Sequence, residues 1–399
     1  CIRDRRNNPE NPLMELHEGN TKRQLHRILG RINIGYDLPW GIKYNANLGY
    51  VKVDHYSKDF KHAMYTYNPK TLERKNFSAY VSAKDWDNNA INYTFYNTLS
   101  WGKSFGGNHN FNVMVGTEYK RYDGKNFQAK KRDYFNNQLT ALSVGSTMED
   151  ISGGSSLELL FSYFGRITYD YKEKYLIDVT ARYDGSSKFA EGNRWGYFPA
   201  ASAGWVVSEE KFWNVRNFNS FKIRASYGLT GNNYIGLYDA YGGFGATSIY
   251  NGASAILPTA LPNMRLKWET THQLDIGVDM GFFNDRIRLM ADYYNKKTTD
   301  LLFSVTLPDT SGYGSARQNV GSVRFYGAEV ELSTVNIQSK NFTWTTDFTY
   351  SFNMNKVLSL PDEYRYKDVD GKDAWRIGGY TMSETGFRFG GTAVGERMG

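Results

Sequence analysis

Two carboxylates, Glu329 and Glu331, are the pair in this sequence that most resembles a general acid and a general base. Side chains at i and i+2 of a strand point to the same face, so the two groups would lie side by side. Paired carboxylates of this kind carry out glycoside hydrolysis. On a strand that faces a lumen, however, such a pair is far more often simply solvated or salt-bridged, and we expect one of these two states here.

Histidines, nucleophile motifs and phosphate loops give no better lead. No two of the histidines have the spacing of metal ligands, and neither a nucleophile elbow nor a phosphate-binding loop appears. The six histidines are His17, His26, His55, His62, His109 and His272. We therefore expect no catalytic residue, no metal ligand and no cofactor, which means that the chain is not expected to be an enzyme.

An acidic stretch near the carboxyl end could gather Ca²⁺ through Asp362, Glu363, Asp368, Asp370 and Asp373. Its order of acidic residues is not the register of an EF-hand loop. A solvated surface loop is the preferred interpretation, and calcium binding stays open as the alternative.

Aromatic side chains among glycines form the remaining candidate site, with Tyr234, Tyr238, Tyr241, Phe244 and Tyr250 in one long connection. Flat rings on an adaptable backbone suit contacts with sugars or with protein partners. Packing of loop on loop is the alternative interpretation, and we favour it slightly. These five residues are therefore candidate contacts for substrate or partner.

The composition describes the scaffold that would hold these groups. The chain has 399 residues with 31 Tyr, 24 Phe, 9 Trp and 39 Gly, a mixture that favours strands and turns. No run of 18 apolar residues occurs, which excludes a helical membrane protein. The net charge of +7 is spread without a basic block, so nucleic-acid binding is not expected. A single cysteine excludes an internal disulfide and a thiol-based zinc site.

Polarity alternates with a period of two residues from residue 25 onward, which predicts strands with one apolar and one polar face. Between Tyr175 and Tyr183, for example, apolar residues alternate with Asp178, Thr180 and Arg182. Twelve such strands are recognisable. The fold class is therefore all-β and antiparallel, since short turns join many neighbouring strands.

Connections alternate between short and long, as in an outer-membrane barrel with periplasmic turns and extracellular loops. Short connections are predicted at 38–41, 102–108, 172–174, 209–219, 283–286 and 335–341. Long connections are predicted at 54–90, 121–160, 187–195, 232–266 and 298–320, with a weak strand around 77–83. The predicted organisation is a loop or strand end over 1–24, barrel strands with long extracellular loops over 25–354, and a loop with a truncated end over 355–399.

Aromatic residues at the strand ends and charges on the polar face favour a membrane barrel over a soluble one. Tyr and Trp near both ends of an apolar band are typical of strands that cross two headgroup zones. Charged residues such as Arg166, Arg182, Arg224 and Asp292 lie on the opposite face and need water or partners. A hydrated or plugged lumen provides them. A soluble, aromatic-rich β protein is the alternative.

Several segments resemble the SusC/RagA-type TonB-dependent outer-membrane transporters. The strongest match is residues 162–213, SYFGRITYDYKEKYLIDVTARYDGSSKFAEGNRWGYFPAASAGWVVSEEKFW, joined by 221–233, 266–303, 319–332 and 344–360. The resemblance implies twelve strands of a barrel of about 22, with the plug domain, the TonB-contacting segment and the final strands outside this sequence.

The same resemblance implies a location and partners. It places the protein in the outer membrane of a Gram-negative bacterium, surrounded by lipid. It implies energy-dependent import of a large nutrient, a glycan or a peptide, together with a SusD-like lipoprotein and with the TonB complex acting through the plug. A passive porin or a surface adhesin is the alternative function.

Overall fold

The structure, a computed structural model, describes residues 20–62, 65–67, 74–76, 81–136, 138–367, 373–377, 380–381, 388–389 and 392–397. The first strands are β1 Asn20–Asp37, β2 Ile42–Lys61, β3 Tyr65–Tyr67, β4 Arg74–Asn76, β5 Ser82–Phe105, β6 His109–Arg132, β7 Thr147–Tyr171, β8 Tyr175–Ser186, β9 Trp195–Val206 and β10 Phe218–Asn232. The next are β11 Gly243–Tyr250, β12 Ala253–Ala260, β13 Glu269–Phe282, β14 Ile287–Thr299, β15 Leu302–Thr306, β16 Ser315–Asn319, β17 Ser322–Gln338 and β18 Thr343–Ser359. Short strands close the sequence: β19 Arg365–Lys367, β20 Asp373–Ile377, β21 Tyr380–Thr381, β22 Arg388–Phe389 and β23 Thr392–Ala393.

One-turn 3-10 helices interrupt the strands at Pro39–Gly41, Leu142–Val144, Val207–Glu209, Asp309–Ser311 and Asp362–Tyr364. No helix of the described residues is long and apolar enough to span a bilayer.

Twelve strands form one sheet in the order in which they occur along the chain, which confirms the predicted all-β fold and the predicted strand count. The order is β1-β2-β5-β6-β7-β8-β9-β10-β13-β14-β17-β18. The registers from β7 to β18 are antiparallel throughout. Each strand therefore pairs with the next long strand, and every side chain of one parity points to the same face of its strand pair.

The short turns at 38–41, 172–174 and 283–286 lie where they were predicted, whereas the other three are shortened or shifted by the neighbouring strands. β7 ends at Tyr171 and β8 begins at Tyr175, with Lys172 and Glu173 in the left-handed backbone region. β13 ends at Phe282 and β14 begins at Ile287 after a similar turn. Because a turn this short fixes the register, these hairpins also determine which residues face each other across the strands.

Strands run further than the sequence pattern predicted. Residues 121–160 are not one long loop, because β6 continues to Arg132 and β7 begins at Thr147. Likewise β2 reaches Lys61, and Ser82 already starts β5, while residues 77–80 of the predicted weak strand lie outside the described residues. The run Ser-Gly-Gly-Ser-Ser at 152–156 shows the reason. Where both faces of a strand meet water, alternation of polarity is not required and the pattern disappears.

The strand region is also longer than predicted at both of its ends. β1 begins at Asn20 rather than at residue 25, and β18 continues to Ser359 rather than ending near residue 354. Two predicted loops also contain hairpins, namely β11 with β12 inside 232–266 and β15 with β16 inside 298–320. Their strands are short and rich in Gly, Ser and Ala, so they carry little periodic signal.

The chain divides into two compact units, which we describe separately. The first comprises residues 1–33, 47–95 and 120–158, and its described part has a small apolar core of Phe60, Val81, Ala83 and Tyr134. The second comprises 34–46, 96–119 and 159–399. It contains the larger core, formed by Phe189, Ala190, Phe198, Ile235, Ala240, Leu266 and Trp268. All residues discussed below belong to the second unit.

Candidate functional site

One face of the second unit exposes apolar side chains in a continuous band. On β8, Tyr175, Ile177, Val179 and Tyr183 are all exposed and share one parity. The neighbouring β7 contributes Ile167 to the same face. Large apolar side chains in such number cannot be covered by the sheet itself. A surface of this kind is stable when hydrocarbon rather than water covers it.

Aromatic rings border this band at two levels. At the level nearer the short turns, Tyr175 stacks on Tyr171 at 6.2 Å and on Trp205 at 6.4 Å between ring centroids. At the other level, Trp195 stacks on Tyr183 at 4.6 Å and on Tyr163 at 6.2 Å. Eight residues separate Tyr175 from Tyr183, or about 27 Å along the strand. A tilt of about 40° projects that length to about 20 Å, close to the apolar band of membrane barrels.

Glu210 holds the aromatic rings at the turn side in place. The Tyr175 hydroxyl donates to Glu210 Oε1 at 2.6 Å, and Trp205 Nε1 donates to the same oxygen at 3.3 Å. Lys174 Nζ lies 3.8 Å from the other carboxylate oxygen. The hydrogen bond from Tyr175 lowers the pKa of Glu210 below its ordinary value, with Trp205 and Lys174 acting in the same direction. The carboxylate therefore stays charged and fixes both polar ring tips.

On the opposite face, Arg224 ties three strands together. Its Nε donates to Asp279 Oδ1 on β13 at 3.0 Å, and its Nη2 donates to Asp292 Oδ2 on β14 at 2.7 Å. Gly277 lies directly between Arg224 and Asp292 in the register. A Cβ on Gly277 would lie 2.7 Å from Arg224 Cζ and would also meet Asp292. The glycine thus leaves the gap through which the guanidinium crosses β13.

Arg182 makes a second set of cross-strand bonds of the same type. Its Nη2 donates to Glu118 Oε2 on β6 at 2.6 Å and to Ser162 Oγ on β7 at 2.8 Å. Its Nε donates to Asp184 Oδ1 at 2.7 Å. The guanidinium also lies over the Phe164 ring, 5.7 Å from the centroid. The charges of Arg182 and Arg224 are therefore neutralised within the wall by carboxylates of the same face.

Small residues leave a hollow of 360 Å³ on the polar face between these charges. Ser202, Gly204 and Ser226 form its floor, and Asp178 and Lys222 stand at its sides. The Asp178 carboxylate is bonded by Arg166, whose Nε donates to Oδ2 at 2.8 Å. Such a surface can hold water, polar ligands or another polar segment, but it presents no positioned nucleophile.

Glu329 and Glu331 are both exposed on this face and line a second hollow with Asp292. Within the part of the chain that the structure describes, no side-chain hydrogen bond or ion pair distinguishes the environment of one carboxylate from that of the other. No cluster of three or more potential metal ligands occurs among the described residues. Asp368 and Asp370 of the acidic stretch lie outside the described residues.

The candidate aromatic residues lie on two neighbouring elements. Tyr234, Tyr238 and Tyr241 belong to the segment after β10, whereas Phe244 and Tyr250 belong to β11 of the hairpin. All five are exposed. Tyr241 is also bound from below, since Arg194 Nη2 donates to its hydroxyl at 3.3 Å. This hydrogen bond raises the pKa of Arg194 above its ordinary value. The other four rings are exposed to solvent.

An apolar core beneath these rings is the feature that sequence reasoning missed. Phe189, Phe198 and Trp268 lie on different connections or strands, yet Trp268 contacts both phenylalanine rings at centroid distances of 5.5 and 5.4 Å. Trp268 Nε1 also donates to the Arg194 carbonyl at 2.8 Å. Aromatic residues within glycine-rich connections were the sign of this core that the sequence offered. The core joins residues 187–194, 233–242 and 261–268 into one platform, which we call the loop platform.

Comparison with known proteins gives matches over nearly the whole chain. Residues 3–395 match the family model described as TonB dependent receptor-like, beta-barrel. TonB-dependent receptor P39 of Formosa agariphila is 36% identical over 315 residues, covering 75% of this chain and 29% of that protein. TonB-dependent receptor SusC of Bacteroides thetaiotaomicron is 30% identical over 372 residues, covering 89% of this chain and 35% of that protein.

A solved structure with the same fold is that of the RagAB peptide transporter. It superposes with a TM-score of 0.81 at 21% sequence identity, covering 92% of this chain and 41% of that chain. The present chain thus spans about a third of the length of the curated relatives it matches.

Proposed function

The chain belongs to the TonB-dependent receptor-like β-barrel family, and from this premise we propose that it forms part of the wall of an outer-membrane importer. The match over residues 3–395 carries the proposal, because it includes all twelve strands of the sheet. In the full-length protein, transport would be driven by the TonB complex acting through a plug domain. The apolar face would meet lipid, and the polar face would border the passage.

The construction of the polar face supports this role. Arg182 and Arg224 each bind carboxylates on neighbouring strands, so the wall is stiffened by groups that need no apolar core. A wide barrel has no room for a continuous apolar interior if solutes are to pass. Short-range ion pairs also leave the passage without a large potential that would exclude either sign of charge.

A large nutrient, either a glycan or a peptide, is the proposed substrate. Tyr234, Tyr238, Tyr241, Phe244 and Tyr250 would contact the substrate or a SusD-like lipoprotein above the barrel. The exposed rings, three on the loop platform and two on the β11–β12 hairpin, offer flat surfaces to sugar faces and to peptide side chains at a low cost in conformational entropy. The RagAB protein is a peptide transporter by name, which is consistent with one of the two substrate classes.

Uptake by cells that produce the full-length protein tests the proposal. We expect labelled oligosaccharides or oligopeptides too large for passive pores to accumulate only when the gene is present. Accumulation should stop when an uncoupler removes the proton gradient or when TonB is deleted, because energy reaches the plug only by that route. The measurement is cell-associated label with time. A control strain with an unrelated passive porin should keep its uptake after uncoupling.

Continued uptake after uncoupling would instead indicate a passive porin, and absence of uptake of both substrate classes together with cell adhesion would indicate an adhesin. Either result would overturn the import proposal.

Surface labelling gives a second prediction, on orientation. Asn251 and Gly252 form the exposed tip of the β11–β12 hairpin, and Glu173 lies in a three-residue turn at the other end of the strands. An epitope tag after Asn251 in the full-length protein should bind antibody on intact cells. A tag after Glu173 should bind only after the membrane is opened, since short turns face the periplasm in such barrels. Antibody binding at Glu173 on intact cells would reverse the orientation.

A further inference from the structure

The apolar face has a recess of 520 Å³. It lies just inside the level of aromatic rings that is farther from the short turns, which we call the upper level. Its floor is the pair Gly165 and Ala181, which face each other across β7 and β8. Leu99 and Val115 stand at one side, and a Cβ on Gly165 would lie 3.7 Å from Val115 Cγ1. The absence of a side chain at Gly165 and the small one at Ala181 therefore create the space. Its volume is within the range of small-molecule sites, about 300–1,000 Å³.

Polar side-chain tips border the recess on the side away from the short turns. Tyr163 faces Tyr183 across the β7–β8 pair, and Tyr183 faces Tyr197 across the β8–β9 pair. Beside them, Asn97 Nδ2 donates to Thr117 Oγ1 at 2.8 Å. The rim thus consists of neutral hydrogen-bonding groups, whereas the floor and walls are apolar. This change in polarity from rim to floor matches a lipid, in which polar ester or amide carbonyls are followed by apolar acyl chains.

Stacking fixes the rim in advance of any ligand. Trp195 stacks on Tyr183 with an interplanar angle of 15° and on Tyr163 with an angle of 24°. Rings held in this way lose little conformational entropy when a ligand contacts them. The recess is therefore a preformed feature of the wall and not a gap between mobile side chains.

We propose that this recess binds one acyl chain of lipid A. The proposal rests on the membrane location given by the proposed function. The recess lies within the apolar band and next to its upper aromatic level, which is the extracellular side if the short turns are periplasmic. Lipid A builds that leaflet of a Gram-negative outer membrane. The chain would lie on Gly165 and Ala181, and the hydroxyl groups of the rim would donate to its carbonyl group.

A photo-crosslinking experiment on the full-length protein in the outer membrane tests the site. The cross-linking residue p-benzoylphenylalanine replaces either Leu99 at the recess or Ile276 on the same apolar face, two residues with similar exposure of 43% and 46%. Irradiation in membranes should give lipid adducts at both positions, with lipid A at the Leu99 position. When irradiation instead follows detergent extraction and washing, only the Leu99 position should still form the adduct, because detergent replaces ordinary surrounding lipid before a cross-link can form.

Filling the recess provides the matched comparison. Ala181→Phe should lower the adduct at the Leu99 position after extraction about tenfold, the effect of removing about 1.4 kcal/mol of binding. Ala203→Phe makes the same change on the same apolar face, opposite Ile177 and outside the recess, and should leave the adduct unchanged. Heat-modifiable migration on a gel confirms that both variants are folded.

The outcomes separate this proposal from the proposed function. Adducts at both positions in membranes, with none at either after extraction, would overturn the recess site and leave the membrane face intact. If neither position gives an adduct in membranes, the apolar face does not contact lipid, and the proposed importer function is overturned as well. An adduct with a phospholipid or with a protein at the Leu99 position would overturn lipid A as the occupant.

Discussion

Replacing Ile177 by arginine in the full-length protein is expected to cost up to about 2–4 kcal/mol of folding free energy, the cost of arginine on the lipid face of a barrel near the bilayer midplane. Ile177 is 47% exposed on the apolar face of β8, between the two levels of aromatic rings. About half of this side chain is left uncovered by the chain, and in the proposed importer hydrocarbon would cover that half. The measurement is the fraction of heat-modifiable barrel after refolding into vesicles, with urea unfolding for its free energy.

Asp178, the next residue, is the matched control. It points to the polar face, where Arg166 binds its carboxylate. Asp178→Asn should cost about 0–1 kcal/mol, because exposed ion pairs contribute little. A fluorophore at Ile177 should be quenched strongly by lipids with brominated acyl chains, and one at Asp178 only weakly. Equal quenching at both positions would contradict the assignment of the two faces.

The strands of the wall could be predicted because their two faces meet different surroundings. Wherever lipid would cover one side and water the other, each residue is selected for its side, and polarity alternates. β8 shows this from Tyr175 to Tyr183. Beyond the apolar band the selection ends, which is why the continuation of β6 to Arg132 and the start of β7 at Thr147 gave no pattern.

Residues on the polar face could be assigned to that face by parity, but their partners could not be identified. Arg182 and Glu118 are 64 residues apart, and their contact depends on the registers of three strands. Register follows from turn geometry and hydrogen bonding, and neither is visible in a pattern of polarity. Gly277 is a clear case, since its role as the gap for Arg224 becomes apparent only once both registers are known.

The connections were the least predictable part. Glycine, serine and tyrosine suggested irregular loops, whereas the structure has two hairpins and a buried core there. Apolar residues that form a core from three separate connections have no periodicity, because each connection supplies only two of them. Their burial is a tertiary property. The candidate rings were therefore located correctly in a long connection, while the platform that holds them was not anticipated.

Removing the Phe198 ring tests that platform and is the second prediction with a large effect. Phe198 is 8% exposed, contacts Trp268, and lies against Gly231, where even a methyl group would collide with its ring. Phe198→Ala should cost about 3–5 kcal/mol of local stability, as for other buried phenylalanines. A loss of about 3 kcal/mol raises the open population of the loops roughly a hundredfold, and proteolysis follows that population when reclosing is fast. Protease cleavage within 187–194 or 233–242 on intact cells should accelerate accordingly, while heat-modifiable migration of the barrel persists.

Phe212→Ala is the matched control, because Phe212 is 68% exposed and lies outside this core. Its cleavage rate should equal that of the parent protein. Unchanged cleavage in Phe198→Ala would mean that each connection holds its own conformation, and Tyr234, Tyr238 and Tyr241 would then have no common support.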